Sequence, residues 1–559
     1  MPLPTRGRIA RATPTLQQLE PRDVPALLGN SLFPADNPWN QRITAAPVAA
    51  NSAAVMDSIV TTFGNSRIHP DFGEDGRSAG TDLYGIPYNV VRGNSAPKIN
   101  VVIDAYPGQS DIVPVPMPAN PVLEGDFQTG PRVGVDNRGD SHLIIYDVDN
   151  QIGYEFYRAS RPSENTDGRW HADQQSVWDM RANTFRPLTW TSADAAGLAI
   201  LPGLVRPDEV QQGVITHAIR FTLTNSVILN QFIYPASHTA NPGNTDASIQ
   251  PAMGSRFRLK AGVDISGLSP QARVIAQAMK DYGLILADNG SNFYFSGASY
   301  AVDADNAFTL TYDDDDIQST TRGLKSLRYA DFEMVDLTPA VTGLSAPNGA
   351  AGDTVTVTGR NFGGAAGQLS VLFGTTPGTN VTILSDTQLT VRVPAGSGTV
   401  DVRVKSGRDA TGVPQNVNNP VFGYGVSAVT TADRFTYGTS PPPPLPPPPG
   451  SPPPPPSVPL PGSPPSPPAP PGSPPAPPAP GRVREFAAGS DRGFGSVQLY
   501  NPDGSLRFTA APFGPTFAGG VRTVAADFNR DGVADLVAGT GPGGPTRVVI
   551  LDGVTQDVL

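Results

Sequence analysis

Cysteine is absent from this chain of 559 residues, which excludes disulfide staples, cysteine nucleophiles and thiolate metal sites at once. Charge is sparse. Asp, Glu, Lys and Arg together make up 16% of the residues, so solubility rests on Ser, Thr, Asn, Gly and scattered short acids. The formal net charge of -11 comes without a basic stripe of the kind a phosphate backbone requires, and nucleic acid is excluded as a partner. No apolar run approaches the roughly 18 residues that a membrane-spanning helix needs, so no membrane span is expected. The start is basic at Arg6, Arg8 and Arg11 but lacks the apolar core of a secretory signal. HExxH, GxSxG, the phosphate-binding loop and the dinucleotide glycine pattern are also missing, which removes the enzyme classes those motifs mark.

What is present is a chain too long for one core, with composition shifts that mark several units. The expected fold class is mainly β and multidomain. Residues 1–30 read as a leader or flexible arm, and Phe33-Pro34-Ala35-Asp36-Asn37-Pro38-Trp39 opens a β-rich domain over 31–337. Segments 142–147, 154–159, 217–224, 226–234 and 256–260 are short runs with β-branched or aromatic centres, the pattern of strands. One helix interrupts them: Ser269 is placed to cap it, Pro270 to open it, and Ala272, Val274, Ile275, Ala278 and Met279 form its apolar stripe before Gly283 ends it. Directly afterwards, 284–287 and 292–295 flank Asp288-Asn289-Gly290-Ser291, an Asn-Gly hairpin signal. The architecture expected for 31–337 is a mostly antiparallel β sandwich or barrel with one packed helix.

Residues 338–438 gain Gly, Thr and strict alternation. Thr354-Val355-Thr356-Val357-Thr358-Gly359-Arg360-Asn361-Phe362, Val371-Leu372-Phe373-Gly374, Leu389-Thr390-Val391-Arg392-Val393-Pro394 and Arg434-Phe435-Thr436-Tyr437 stand in an order that resembles an IPT/TIG domain. The resemblance implies an immunoglobulin-like sandwich that spaces, dimerises or binds. From 441 to 480, 26 of 40 residues are proline, so 439–481 reads as an extended polyproline linker.

In 482–559, Asp527, Asn529, Asp531 and Asp535 stand at loop positions 1, 3, 5 and 9 with Gly532 at 6, a spacing that gathers oxygens around calcium, with the Val533 carbonyl as a further ligand. The flanks 519–526 and 536–541 resemble an FG-GAP/VCBS-type repeat, which implies a partial β-propeller-type unit. Residues 16–25, reading LQQLEPRDVP, resemble the LEPR-type N-terminal motif of large surface proteins in certain budding bacteria. Taken together, the resemblances imply a secreted or cell-surface bacterial protein, extracellular in location.

All five histidines precede residue 240, so any histidine-dependent site lies in the first domain. The candidate catalytic residues are His142, His217 and His171. His142 and His217 each open a strand, and each has two readings: a base at the rim of a cleft, or a core residue capping its strand. Asp104, Glu124, Asp126, Asp140, Glu155 and Asp288 are the carboxylates available for acid-base work. Trp170, Trp178 and Trp190 suit either core burial or sugar stacking. Phrases such as 190–198 and 284–290 resemble uncharacterised secreted bacterial domains, which brings no activity with it. Two functions follow: a hydrolase or lyase acting on an extracellular polysaccharide, or a non-catalytic adhesin or matrix protein binding a cell-surface ligand.

Overall fold

The computed structural model describes residues 26–72, 85–126, 139–298, 301–302, 314–409, 421–438, 486–489, 496–501, 505–514, 521–526, 533–540 and 547–558. The chain forms two compact units, Met1–Pro446 and Pro447–Leu559. The fold is mainly β and multidomain, with many small sheets. The LEPR-like residues 16–25, the proline-rich stretch and most of the calcium-type loop lie outside the described residues.

The described chain opens earlier than a flexible arm over 1–30 allows. Ala26–Leu27 pairs with Asn30–Ser31 as a tight hairpin, turned by Leu28 and Gly29 at positive φ, and Leu27 is anchored in the core. Beyond it stand two principal sheets. The five-stranded one runs Gln174–Asp179, Ile152–Tyr157, Leu143–Asp147, Tyr88–Val91, Ala301–Val302. The six-stranded one runs Phe332–Met334, Arg256–Leu259, Leu284–Asn289, Ile219–Leu223, Tyr294–Ser296, His69–Asp71.

Both sheets are mixed. Leu143–Asp147 runs parallel to Tyr88–Val91, and Ile219–Leu223 runs parallel to Leu284–Asn289. A parallel pair needs a long crossover, and the segment between the latter two strands contains the helix Pro270–Asp281. That helix forms as its sequence dictates: the Ser269 hydroxyl accepts the Ala272 amide at 3.4 Å, and Ala272, Ile275, Ala276, Ala278 and Met279 are buried. A second long helix, Ser52–Phe63, lacks a side-chain cap yet buries Val55, Met56 and Ile59. Tertiary packing holds it where its β-branched, Ser- and Thr-rich sequence gives little intrinsic support.

The Asn-Gly segment is not a hairpin. Ile219–Leu223 lies between Leu284–Asn289 and Tyr294–Ser296, so the chain crosses over the end of that central strand. Gly290 donates to the Leu223 carbonyl at 2.9 Å, and Thr222 Oγ1 meets the Ser291 carbonyl at 2.6 Å. A Cβ at Gly290 would stand 2.9 Å from Thr222 Oγ1, so glycine is what lets the crossing pass this close. Below it, Phe221 and Phe257 meet edge to face at 5.3 Å, and Phe293 stacks on Tyr329 at 4.9 Å.

Residues 340–437 fold as two packed sheets. One runs Ala340–Leu344, Thr354–Arg360, Gln388–Arg392, Thr379–Ser385; the other is built on Thr399–Asp409, paired with Leu369–Phe373, Arg434–Tyr437 and Val421–Val426. The alternating Val355, Val357, Val371, Phe373, Leu389, Val391, Val402, Val404 and Phe435 fill the space between them, as the alternation predicts.

This sandwich is docked on the first domain. Tyr234 packs against Phe422 at 5.1 Å and Tyr424 at 4.9 Å, and Phe185 closes on Tyr234 at 5.5 Å. Tyr234 also donates its hydroxyl to the Gly364 carbonyl at 2.8 Å. Gly364 has φ +66 and sits so close to Gln41 that a Cβ would fall 2.2 Å from its Oε1.

The second unit, taken by itself, contains two three-stranded antiparallel sheets: Phe486–Gly489, Val497–Tyr500, Leu506–Ala510, and Val521–Ala526, Asp535–Thr540, Val548–Leu551. Val497, Leu499, Phe508, Val521, Leu536, Ala538 and Leu551 form its core.

The aromatic seam is expected to make the first domain and the sandwich unfold as one cooperative block. Tyr234→Ala is expected to lower its stability by about 3–5 kcal/mol and Tyr234→Phe by about 1 kcal/mol, through the unpaired Gly364 carbonyl. Denaturant unfolding, followed by probes on both sides of the seam, checks this. Two transitions in the wild-type chain, only one of which moves in the variants, would show independent domains.

Candidate functional site

The six-stranded sheet carries a charge where a core strand has no room for one. Ile219-Arg220-Phe221-Thr222-Leu223 is buried throughout, and Arg220 is 2% exposed. A guanidinium in that position must be matched. Asp194 matches it with both oxygens, one at 2.8 Å from Nε and the other at Nη2; Asp288 Oδ2 lies 3.6 Å from Nη2. The loop carrying Asp194 is fixed in turn: the Ala196 amide donates to the Ala287 carbonyl at 2.9 Å, and the Ala195 amide donates to Asp288 Oδ1 at 3.2 Å.

From the five-stranded sheet, His142 reaches the same place just ahead of Leu143–Asp147. Its Nδ1 is 2.7 Å from Glu124 Oε2 and its Nε2 is 3.2 Å from the Ala193 carbonyl. Both partners are acceptors, so both ring nitrogens carry hydrogen. Burial acts against that charge, but Glu124, with Asp140 and Asp194 behind it, wins and lifts the imidazole to about 10. His142 is therefore a fixed cation, and the reading of it as a base does not fit this geometry.

Four carboxyls, Glu124, Asp140, Asp194 and Asp288, thus share two cations. Glu124 is desolvated, yet its contacts with His142 hold it below the usual carboxylate range. Asp288 goes the other way: burial and the neighbouring Asp194 push it well up, against Arg220. Asp140, at the exposed rim, is also raised, by desolvation and by Glu124 and Asp194, although His142 and Arg220 oppose the shift.

Asp140 and Asp288 stand where two cavities adjoin. One, of about 230 Å³, is lined by Glu124, His142, Arg220, Ser291 and Tyr294. The other, of about 320 Å³, is lined by Tyr106, Tyr157, Thr191, His238 and Asn241. His238 donates Nδ1–H to the Ala195 carbonyl at 2.7 Å, and burial lowers its pKa, so it faces this chamber as a neutral ring. Tyr157 is raised to about 12, by burial and then by Asp140 and Asp288, and stays a phenol.

The three candidate histidines do not meet. His217 is fully buried, its Nδ1 2.8 Å from the Ala218 carbonyl and its Nε2 3.1 Å from Glu209, so no substrate reaches it. His171 lines neither chamber; it lies between Asp104 at 3.0 Å and Asp167 at 3.1 Å. Of the candidate carboxylates, Glu124, Asp140 and Asp288 converge. Glu155 is sealed in the core, accepting the Trp178 indole N–H at 3.0 Å and the Leu201 amide at 2.8 Å, and Asp126 is taken up by Arg161. Trp178 is core, and Trp190 stacks against the Arg186 guanidinium at 5.3 Å. Among the calcium-type ligands, Asp535 is buried with Oδ1 accepting the Gly553 amide at 2.9 Å. Val533 is half-buried, and Asp527, Asn529 and Asp531 lie outside the described residues.

Arg220 and Asp194 are not among the residues the sequence singles out, and His238, which its Thr-Ala-Asn-Pro surroundings place in an exposed loop, is half-buried. A lone arginine in an apolar strand was the available signal, since it demands a buried acid.

His142 titrates higher folded than unfolded, so its stabilising effect is whole below its unfolded value, near 6.5, and is lost as pH rises through about 10. Glu124 has the opposite sign: its contribution is present above its unfolded value and is lost as pH falls through its lowered folded value. His142→Gln is expected to flatten the alkaline decline in stability between those histidine limits, which a series of chemical melts across pH measures.

Residues 339–424 match the family model described as IPT/TIG domain. No curated protein matches the chain. Among solved structures, an auxiliary nutrient binding protein from Bacteroides thetaiotaomicron is similar at 10% identity, with 40% of this chain and 48% of that chain covered and a TM-score of 0.15. A protein of the same description from Bacteroides ovatus is similar at 11% identity, over 40% and 48%, with a TM-score of 0.14. SGBP-B from a complex xyloglucan utilization locus in Bacteroides uniformis is similar at 16% identity, over 37% and 42%, with a TM-score of 0.13. The matched regions cover under half the length of each of these structures.

Proposed function

We propose that the first domain hydrolyses a polysaccharide outside the cell, with Asp288 as general acid and Asp140 as general base. The observation that carries this is the pair of raised carboxyls at the junction of two chambers. Environments that separate the titration of neighbouring acids assign their roles. Asp288, held protonated, donates to the glycosidic oxygen as the bond to the anomeric carbon breaks. Asp140, at the solvent rim, loses its proton first and takes one from the attacking water. Tyr106, 41% exposed in the larger chamber, and Tyr294 in the smaller one offer ring faces to the sugars on either side. His142, Glu124 and Arg220 position the acids and do not transfer protons.

The placement of this protein at the cell surface or exterior rests on the LEPR-type motif and on the order of immunoglobulin-like module, proline-rich stretch and terminal repeat. For the terminal unit the calcium reading stands as a proposal, supported by two features. Val521–Ala526 and Asp535–Thr540 pair antiparallel with Ala526 opposite Asp535, and the Asp535 carboxylate is fixed at the end of that pair by the Gly553 amide. In calorimetric titration of the full chain, calcium is expected to bind, and Asp531→Ala to weaken binding by about tenfold or more, given a loss on the scale of one charge-assisted contact. An unchanged titration refutes the reading.

Cleavage of a glycan panel by the full chain tests the catalytic proposal. Asp288→Asn and Asp140→Asn, each with a native circular dichroism spectrum, are expected to lose about 10²–10⁴-fold in kcat/KM, the range for general acid-base groups. The wild-type rate should fall as pH rises through the raised Asp288 value, because the acid must hold its proton. Full activity in either variant overturns the assignment. Binding without cleavage of any polymer makes the cleft that of an adhesin.

A further inference from the structure

The larger of the two chambers, about 320 Å³, is at the small end of the roughly 300–1,000 Å³ of ligand pockets, so it admits a short piece of a polymer. Two groups that the acid-base assignment leaves unused, His238 and Tyr157, line it and are half-buried. The His238 amide donates to the Ala196 carbonyl at 3.2 Å, and its Nδ1–H donates to the Ala195 carbonyl at 2.7 Å. With the hydrogen on Nδ1 and burial acting against a charged ring, Nε2 keeps its lone pair. Neither Nε2 nor the Tyr157 hydroxyl has a hydrogen-bond partner among the described residues, and neither atom is sealed from solvent.

One chamber thus presents an acceptor, the imidazole lone pair, and a donor, the phenol. Hydroxyl groups answer both, because each donates an O–H and offers lone pairs. A carboxylate only accepts. It would set lone pairs against Nε2 and bring negative charge to Asp140 and Asp288, whose own ionisation burial already opposes. Among the described residues no Lys or Arg lines this chamber, and the two cations of the smaller one, His142 and Arg220, are taken up by Glu124 and Asp194. The arrangement is tied to the acid through one residue: the Ala195 amide donates to Asp288 Oδ1 at 3.2 Å while the Ala195 carbonyl receives His238. The lone pair and the acid are therefore held in a fixed relation.

We propose that the larger chamber is a subsite for an uncharged sugar, whose ring hydroxyls donate to His238 Nε2 and accept from the Tyr157 phenol, and that it turns away acidic sugars. This rests on the reading of the cleft as a polysaccharide site but requires binding alone, so it stands whether or not the cleft is catalytic. His238 is then a specificity-determining residue, set beside the acid without exchanging a proton with it.

The test is calorimetric titration of the full chain with the neutral trisaccharides cellotriose, maltotriose and xylotriose and with the acidic trigalacturonate, together with imidazole ¹⁵N NMR of His238. At least one neutral trisaccharide is expected to bind about tenfold or more tightly than trigalacturonate, the margin of one unmatched polar contact, and to shift the Nε2 resonance. His238→Phe, which keeps a flat ring but has no lone pair, is expected to weaken that trisaccharide about tenfold, His238→Gln, whose amide oxygen accepts, to recover part of the loss, and Tyr157→Phe to weaken it several-fold. Binding of a neutral trisaccharide with this pattern and no cleavage of any polymer leaves the subsite standing and removes the hydrolase reading. Cleavage of an acidic polymer with tighter binding of trigalacturonate does the reverse. No binding of any of the four, or an Nε2 resonance that a bound trisaccharide leaves unmoved, overturns the proposal.

Discussion

The first domain depends on the neutralisation of Arg220. A guanidinium on a central strand, closed off from solvent, cannot be left unpaired, and breaking such a pair typically costs about 3–5 kcal/mol. Satisfying it draws the loop at Asp194 across the sheet, and that loop sets the rest of the cleft in place. Its Ala193 carbonyl takes one nitrogen of His142, its Ala195 amide holds Asp288, and its Ala195 carbonyl orients His238. The same neutralisation leaves Asp288 without a full share of the positive charge, since Asp194 has the two short contacts. Burial first, and then this unequal sharing, lift the Asp288 carboxyl above its ordinary value.

The parts of the fold legible in the sequence are those whose determinants are local. Ser269 and Pro270 announce a helix start, and the alternation of Val355, Val357, Leu389 and Val391 announces a sandwich, because each signal is complete within a few residues. The order of strands in the first domain is set by partners far apart in the chain. The Asn-Gly dipeptide at 289–290 suggests a hairpin, yet burial of Phe221 and Phe293 in one aromatic core brings Ile219–Leu223 between its arms. The candidate site divides in the same way. Glu124, Asp140 and Asp288 stand out as acids, but nothing local separates them from Glu155, which accepts backbone and indole donors in the dry interior. His142 and His217 carry the same local pattern, and only their partners tell a cleft wall from a core.

The immunoglobulin-like module is more than a spacer. Its Asn361 side chain donates to the Asp336 and Thr338 carbonyls at 3.1 and 3.0 Å, its Ala366 amide donates to the Asp36 carbonyl at 2.9 Å, and its Phe422 and Tyr424 complete an aromatic cluster begun by Phe185 and Tyr234. The resemblance that marks the module rests partly on Gly359-Arg360-Asn361-Phe362. In this chain that turn has two duties: Phe362 fills the sandwich core, while Asn361 and the glycines after it face the neighbouring domain.

The crossing at 290–293 bears on the order in which the chain assembles. Leu284–Asn289 and Tyr294–Ser296 are separated by four residues, close enough to zip together on the microsecond timescale of a hairpin. Their native partner, Ile219–Leu223, must arrive from a stretch more distant in sequence, and long-range pairing of this kind is intrinsically slow. If the two arms close on each other first, the slot for the central strand is lost and Arg220 is left outside with no acid to meet. The tight passage of Gly290 over Thr222 is then a gate in time as well as in space: the arms do not reach their native spacing until the strand that carries Arg220 lies between them.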